Sequence, residues 1–309
     1  MKEKIVVLKG GDSPEREISL MSGKAVEKAL KKRGYDIISL DPSAKSFFKR
    51  LLFLRPTFVF IALHGGKGED GSIQGFLDVL GIPYTGSGPL ASALAMNKAF
   101  SKKLFISASL PTPEFILLRK GSKVSSIRGL GNYPIVVKPV SSGSTIGISI
   151  VKKKKELDNA LKLAFSYDEE IILEEYIKGS EVTVSILGNE RPQILPTIQI
   201  LPKEGFYDYK AKYSPGACRH IIPPELPKIW VKRAEETALS AHKLLGCQGF
   251  SRTELIINSQ GKPYLLDVNT IPGLTEISLF PESAKAFGIS FEDLCVKLIE
   301  FGKERFRKR

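Results

Sequence analysis

The first third of the chain alternates short apolar runs with a helical repeat, and that alternation permits few folds. Ile5 to Leu8 is the continuous apolar run of a buried strand, and Ile18 to Arg33 keeps helical spacing until Gly34 stops it. Ile37 to Leu40 and Phe58 to Leu63 are further strand-like runs. Such an order predicts a parallel sheet with helices on its faces. Ligands of these sheets sit where strands end and glycine loops begin. Two loops qualify, Lys9-Gly10-Gly11-Asp12-Ser13-Pro14-Glu15-Arg16 and His64-Gly65-Gly66-Lys67-Gly68-Glu69-Asp70-Gly71.

The middle of the chain reads as a smaller α+β unit. Pro134 to Pro139 and Ile146 to Val151 are expected strands around a glycine–serine loop, followed by a helix over Lys155 to Phe165 and a strand over Glu170 to Tyr176. Beyond Lys178-Gly179 come expected strands at 181–187 and 194–200, a long loop at 202–224 and a helix near 229–245. A hairpin at 249–269 and a C-terminal helix complete the pattern. At 309 residues the chain exceeds one ordinary core. Three lobes are expected, at 1–93, 94–178 and 179–309.

Composition narrows the function classes. With 42% hydrophobic and 26% charged residues the chain resembles a folded soluble protein. No apolar run approaches the ~18 to 20 residues of a membrane helix. The segment Met1 to Leu8 is too short for a secretory signal, so a cytoplasmic, membrane-free protein is expected. Cys218, Cys247 and Cys295 form neither a disulfide framework nor a paired metal motif, and His64, His220 and His242 lack zinc spacing. Any metal should be a hard ion on carboxylates. The net charge of +13 is spread over Lys31-Lys32-Arg33, Lys152 to Lys155 and the tail. Without base-reading aromatics, that charge points to solvated surfaces and a site for an anionic substrate, ahead of the alternative of nucleic-acid contact.

The hairpin carries the most specific chemistry. Gly249 to Ile257 and Pro263 to Asn269 alternate with period two around Asn258-Ser259-Gln260-Gly261. A two-residue turn on Gln260-Gly261 sets Glu254 opposite Asp267 and Arg252 opposite Asn269. Opposed carboxylates on one face repel unless a cation lies between them. Glu254, Asp267 and Asn269 supply oxygen donors suited to magnesium, and Arg252 could stabilise a phosphoryl group or oxyanion. An exposed hairpin whose surface charges Arg252 compensates fits the same pattern.

The loops are also open to two accounts. Lys138-Pro139-Val140-Ser141-Ser142-Gly143-Ser144-Thr145-Ile146-Gly147 has the lysine, glycines and hydroxyls of a phosphate clamp but no Walker ending, and would equally suit a plain hairpin loop. Asp12-Ser13-Pro14-Glu15 fits a capping box as well as a ligand site. His64 at a strand end can be structural or functional.

Taken in order, Gly10-Gly11-Asp12-Ser13-Pro14-Glu15-Arg16-Glu17-Ile18-Ser19, Ala62-Leu63-His64-Gly65, Glu69-Asp70-Gly71-Ser72-Ile73-Gln74-Gly75 and Pro83-Tyr84-Thr85-Gly86-Ser87-Gly88 resemble the D-alanine–D-alanine ligase family of ATP-grasp enzymes. Phe206-Tyr207-Asp208-Tyr209-Lys210-Ala211-Lys212-Tyr213 and Asn269-Thr270-Ile271-Pro272-Gly273-Leu274-Thr275 extend the resemblance over nearly the whole chain. It implies a three-lobed ATP-grasp fold, α/β and α+β, with an N-terminal parallel α/β domain. It also implies joining of two D-alanines through an acyl phosphate, with ATP and two magnesium (or manganese) ions, in a homodimer.

By matched position, Glu15 would hold the first D-alanine's ammonium, and Glu15, Ser144 and Tyr213 would link two loops over the site. Arg252 and the Gly273 N–H would form the oxyanion hole. Ser278 and the Leu279 backbone, with Lys212, would receive the second carboxylate, and His64 would support them. Lys98 and Lys138 would bind phosphates, Glu174, Glu175 and Ile177 adenine, and Glu181 ribose. Glu254, Asp267 and Asn269 would hold the metals. Ester-forming D-alanine–D-lactate relatives usually lack a tyrosine like Tyr213. A D-alanine–D-serine ligase, or a non-catalytic nucleotide binder that retains the fold, would share many of these motifs. The family commonly has Arg-x-Asp and Glu-x-Asn where this chain has Arg252-Thr253-Glu254 and Asp267-Val268-Asn269, so the long and short acids have traded places. Val140-Ser141-Ser142 also lacks the acid often found before Gly-Ser.

Overall fold

The computed structural model describes residues 3–122, 130, 132–202 and 218–308. Lys4–Leu8 (β1), Asp36–Leu40 (β2) and Phe58–Ile61 (β3) form a parallel sheet in the order β2-β1-β3. Ile5, Val7, Phe58 and Phe60 pack on one face with Val26 and Leu30 of the helix Arg16–Lys32 (α1). Val6, Leu8, Val59 and Ile61 pack on the other with Phe47 and Leu51 of Phe47–Leu54 (α2) and Ile73 and Leu77 of Ser72–Val79 (α3). Cover on both faces is why these strands are apolar throughout instead of alternating. Pro89–Met96 (α4) and Lys98–Ser107 (α5) lead out of this unit.

A four-stranded antiparallel sheet follows, ordered β4-β7-β5-β6 from Phe115–Arg119 (β4), Ile135–Pro139 (β5), Ser149–Val151 (β6) and Glu170–Glu175 (β7). Leu157–Phe165 (α6) covers it through Leu157, Ala160 and Ala164. The third sheet runs β11-β10-β8-β12-β13, with Gly179–Leu187 (β8) also pairing Gln193–Ile194 (β9). The strand expected at 194–200 is thus two, β9 and Ile198–Pro202 (β10). Pro196 lies in the gap, where its missing N–H is least harmful. Within the expected loop at 202–224, Cys218–Ile221 (β11) pairs with β10. Lys228–Leu244 (α7) covers one face of this sheet through Ala234, Ala238 and Ala241.

Phe250–Asn258 (β12) and Pro263–Asn269 (β13) place Arg252 opposite Asn269 and Glu254 opposite Asp267, as the sequence suggests, but by another route. Near the turn the pairs are Ile257 with Pro263, Ile256 with Tyr264 and Leu255 with Leu265, so the turn centres on Gln260 alone. The register then shifts between Glu254 and Leu255, leaving Leu266 as the extra residue of a bulge. The bulge resets the alternation. Leu265 and Val268 both enter the core beneath α7, while Asp267 and Asn269 share the opposite face with Arg252 and Glu254.

Leu279–Ala286 (α8) and Phe291–Arg307 (α9) end the chain. Phe280, Ala284, Leu294, Leu298 and Ile299 join the cluster that holds Ile5, Val7, Phe58 and Phe60. Leu187 and Phe250 of the third sheet join it too, so the first and third sheets share one core.

Candidate active site

Glu15 stands at the N-cap of α1, but its side chain makes no cap hydrogen bond. The capping box expected at Asp12 to Glu15 does not form. Asp12 lies exposed near Lys67, and the Glu15 carboxylate instead accepts a hydrogen bond from Ser144 Oγ, far along the chain. Glu15 is buried, and Gly65 and Gly143 close over it. A Cβ at either glycine would lie 2.6 Å from Glu15 Oε2, so only glycine admits the carboxylate there. Ser144, which reaches it, and the adjacent Thr145 have φ of +50° and +63°, a backbone region L-residues adopt at a cost.

His64 is buried at the end of β3 and joins three segments. A carbonyl can only accept, so Nδ1–H donates to Ile271 O at 2.9 Å, and Nε2 accepts from Ser22 Oγ at 2.8 Å. Ser22 Oγ in turn accepts from Leu274 N at 3.2 Å. His64 therefore fixes the loop that carries Gly273. Burial pushes its pKa down to about 4, as it does for the buried His242, so both rings are neutral. The unfolded chain binds those protons more readily. Their contribution is full above pH ~6.5 and is lost as pH falls toward about 4. At pH 5 the loss should be on the order of 2 kcal/mol per histidine by linkage. Urea midpoints at pH 7.5 and pH 5 measure it; equal midpoints would contradict neutral burial.

Glu69 has no role marked out by the sequence. Burial and the neighbouring Glu15 charge raise its pKa above the usual carboxylate range, although Gly65 N donates to it at 2.5 Å. It also feels the charges of Lys98 and Arg252.

Lys98 is the buried cation at the centre. Its Nζ donates to Ser142 O at 2.6 Å, and burial lowers its pKa while Asp267, Glu15 and Glu254 oppose that shift. One turn later on α5, Lys102 is fully buried, a second residue the sequence does not reveal. Its Nζ bonds Thr112 Oγ1 at 2.7 Å and Pro113 O at 3.2 Å and lies 3.0 Å from Glu174 Oε2. Lys138 holds the other oxygen of Glu174 at 2.5 Å. Burial pushes Lys102 down to about 8. It pushes Glu174 up, but the Lys102 and Lys138 charges outweigh it and keep that acid ionised. Glu175 ends β7 half-buried, Ile177 is buried just beyond, and Glu181 lies on β8 beside Ile256, on the face that carries Glu254.

On that face Arg252 Nη2 donates to Glu254 Oε1 at 2.7 Å. Asn269 Oδ1 accepts from Ile271 N at 2.8 Å, which fixes its amide. Two opposed carboxylates and an oriented amide oxygen are hard donors of the kind a divalent cation accepts beside phosphate. Among the described residues no three His, Cys, Asp or Glu side chains are placed to hold a metal ion by themselves, so phosphate oxygens and water would have to complete a shell. Gly273 faces Ser278, whose Oγ accepts from Thr275 N at 3.2 Å and stands at the start of α8 just before the buried Leu279. Lys212 and Tyr213 lie outside the described residues. The structure thus gathers Glu15, His64, Lys98, Lys138, Arg252, Glu254 and Asp267 into one electrostatic neighbourhood.

Buried lysines on a helix and on the strand that leads into a serine–glycine loop, set against an acidic hairpin on another sheet, define the ATP-grasp class of enzymes. Family models for the D-Ala D-Ala ligase C-terminus and N-terminus match residues 104–300 and 45–87. A D-alanine–D-alanine ligase of Pelotomaculum thermopropionicum is 48% identical over 313 residues, covering 98% of each chain. The chain belongs to the D-alanine–D-alanine ligase family. Among solved structures, the Bacillus anthracis D-alanine–D-alanine ligase complexed with ATP superposes with a TM-score of 0.87 at 34% identity, over 99% of both chains. The VanG D-Ala:D-Ser ligase of Enterococcus faecalis gives 0.83 at 32% identity, over 98% of this chain and all of that one.

Proposed function

We propose that this chain joins two D-alanines into D-alanyl-D-alanine at the expense of ATP, for peptidoglycan precursor synthesis in the cytoplasm. The carboxylate of the first D-alanine attacks the γ-phosphate and releases ADP, leaving an acyl phosphate from which the amine of the second D-alanine displaces phosphate. The hairpin register that opposes Glu254 to Asp267, with Arg252 and Lys98 beside them and Glu15 in the same neighbourhood, is the observation that supports it most.

Glu15 holds the first ammonium, and Ser144, with Tyr213, ties the glycine–serine loop down over it. Arg252 and the Gly273 N–H stabilise the tetrahedral oxyanion. Ser278, the Leu279 N–H and Lys212 take the second carboxylate, while His64 keeps the Gly273 loop in place. Lys98 and Lys138 bind phosphates. Glu174, Glu175 and Ile177 border the adenine, and Glu181 binds the ribose. Glu254, Asp267 and Asn269 would hold two magnesium ions, whose charge would neutralise the triphosphate. The lobes are 1–93, 94–178 and 179–309, and the chain pairs as a homodimer.

Phosphate release from ATP tests this function. It should require D-alanine, and adding D-lactate or D-serine should not increase it. ATP turnover indifferent to D-alanine would reject the ligase, and a preference for either additive would reassign its second substrate. Exchange of the long and short acids preserves their combined reach across the hairpin. Glu254→Asp alone should therefore raise the magnesium concentration for half-maximal activity several-fold, measured by titration; an unchanged midpoint counts against compensation.

A further inference from the structure

Outside the ligase machinery, β11 and α8 bring together a thiol, an imidazole and a carboxylate. Cys218 and His220 are two apart on β11 and share a face. Cys218 Sγ lies 3.3 Å from His220 Nε2, and His220 Nδ1 lies 2.6 Å from Glu282 Oε2. A carboxylate can only accept, so Nδ1 carries a proton, and in the neutral ring Nε2 is then the nitrogen that accepts from the thiol. Nucleophile, base and orienting acid in hydrogen-bond sequence is the arrangement that activates a thiol. The other two cysteines contrast with it. Cys247 and Cys295 are buried, and burial raises both thiols, Cys247 to about 12.

We propose that Cys218 is a thiol–disulfide exchange site, activated by His220 and Glu282, whose occupation by a low-molecular-weight disulfide slows ligation. His220 Nε2 takes the thiol proton as Sγ attacks one sulfur of the disulfide. The S–S bond of the reagent breaks, a mixed disulfide forms on Cys218, and the departing thiolate collects the proton from His220. One thiol and one disulfide become one mixed disulfide and one new thiol, so nothing else is oxidised or reduced.

Occupation reaches the ligase site through packing. Cys218 packs against the apolar cluster of Ile198, Ile200 and Leu279. Leu279 opens α8, where the second substrate's carboxylate is proposed to bind, and Glu282 lies in the first turn of that helix. An adduct on Sγ needs room beside this cluster, to which Leu279 belongs. The exchange step stands apart from the ligase assignment; only its effect on turnover rests on it.

The test treats the full chain with the aromatic disulfide dithiobis-nitrobenzoate and follows release of the coloured thiol, with peptide mapping of the adduct. One thiol per chain should react fast, at Cys218, and Cys218→Ser should abolish that phase. His220→Gln should slow it by about tenfold or more, the loss expected on removing a general base. Glu282→Gln, which keeps both reacting residues, should slow it less, and covers the case in which His220→Gln does not fold. Glutathione disulfide should then lower D-alanine-dependent phosphate release in the parent but not in Cys218→Ser, with recovery on adding dithiothreitol. Three results would overturn the proposal: Cys218 reacting no faster than Cys247 or Cys295, a rate unchanged in both triad variants, or full turnover by the fully modified protein.

Discussion

Arg252→Met should lower D-alanine-dependent phosphate release by about 10²–10³-fold, the loss typical of removing one preorganised oxyanion donor. Two roles converge on this guanidinium. Its Nη2 donates to Glu254 Oε1, and both side chains are nearly withdrawn from water. The planar fork can serve Glu254 with one nitrogen and a developing oxyanion with another. A lysine offers a single point charge and cannot do both. Arg252→Lys should therefore fall between the parent and Arg252→Met. Steady-state rates at saturating ATP and D-alanine give the order. Activity of Arg252→Met within about threefold of the parent would remove Arg252 from the chemistry, since the loss of a transition-state donor is far larger than that.

Lys102→Met should destabilise the protein by roughly 3–5 kcal/mol, the usual cost of breaking a buried ion pair from one side. Glu174 would keep Lys138 on one oxygen but lose the cation on the other, with almost no water to replace it. Adding Glu174→Gln to Lys102→Met should cost less than the sum of the two single losses, because the pair is broken only once, although the buried Lys138 then lacks its carboxylate. Urea unfolding of the two single variants and the double variant measures the coupling. Simple additivity would show that Lys102 acts elsewhere. The same substitution should raise the KM for ATP, since Glu174 is proposed to border the adenine and Lys102 holds it in place.

The sequence discloses these groups unequally. Lys98 lies within a recognisable resemblance, whereas Lys102 carries no motif, and only its helical spacing from Lys98 hints at a shared face. Glu69 is visible in an acidic–glycine stretch, but its raised pKa owes part of its size to Glu15, which only the fold brings near it. Glu15 itself is ambiguous because a capping box and a ligand site use the same residue types. The capping account fails because helix α1 starts at Arg16, too late for Asp12 to serve its N–H groups.

The hairpin shows a subtler limit. Pairing Glu254 with Asp267 follows from an assumed two-residue turn, yet the turn is longer and the bulge at Leu266 restores the register. Two departures from the ideal hairpin cancel at the acids. Period-two alternation cannot anticipate a bulge, because the inserted Leu266 is apolar like the Leu265 before it. The break at Pro196 is legible in principle, since proline seldom lies inside a paired strand. β11 stays hidden because a short edge strand after a long polar segment carries little hydrophobic signal.

The joining of the first and last segments in one apolar cluster bears on how the chain is made. Ile5, Val7, Phe58 and Phe60 emerge early from the ribosome, but Phe280, Leu294, Leu298 and Ile299 emerge last. Through most of translation the nascent sheet must therefore carry an oily, incompletely covered face. Such a face invites chaperone binding or clumping until α8 and α9 arrive. Synthesis halted ahead of residue 279 would leave a polypeptide able to pair its early strands yet unable to become soluble on its own.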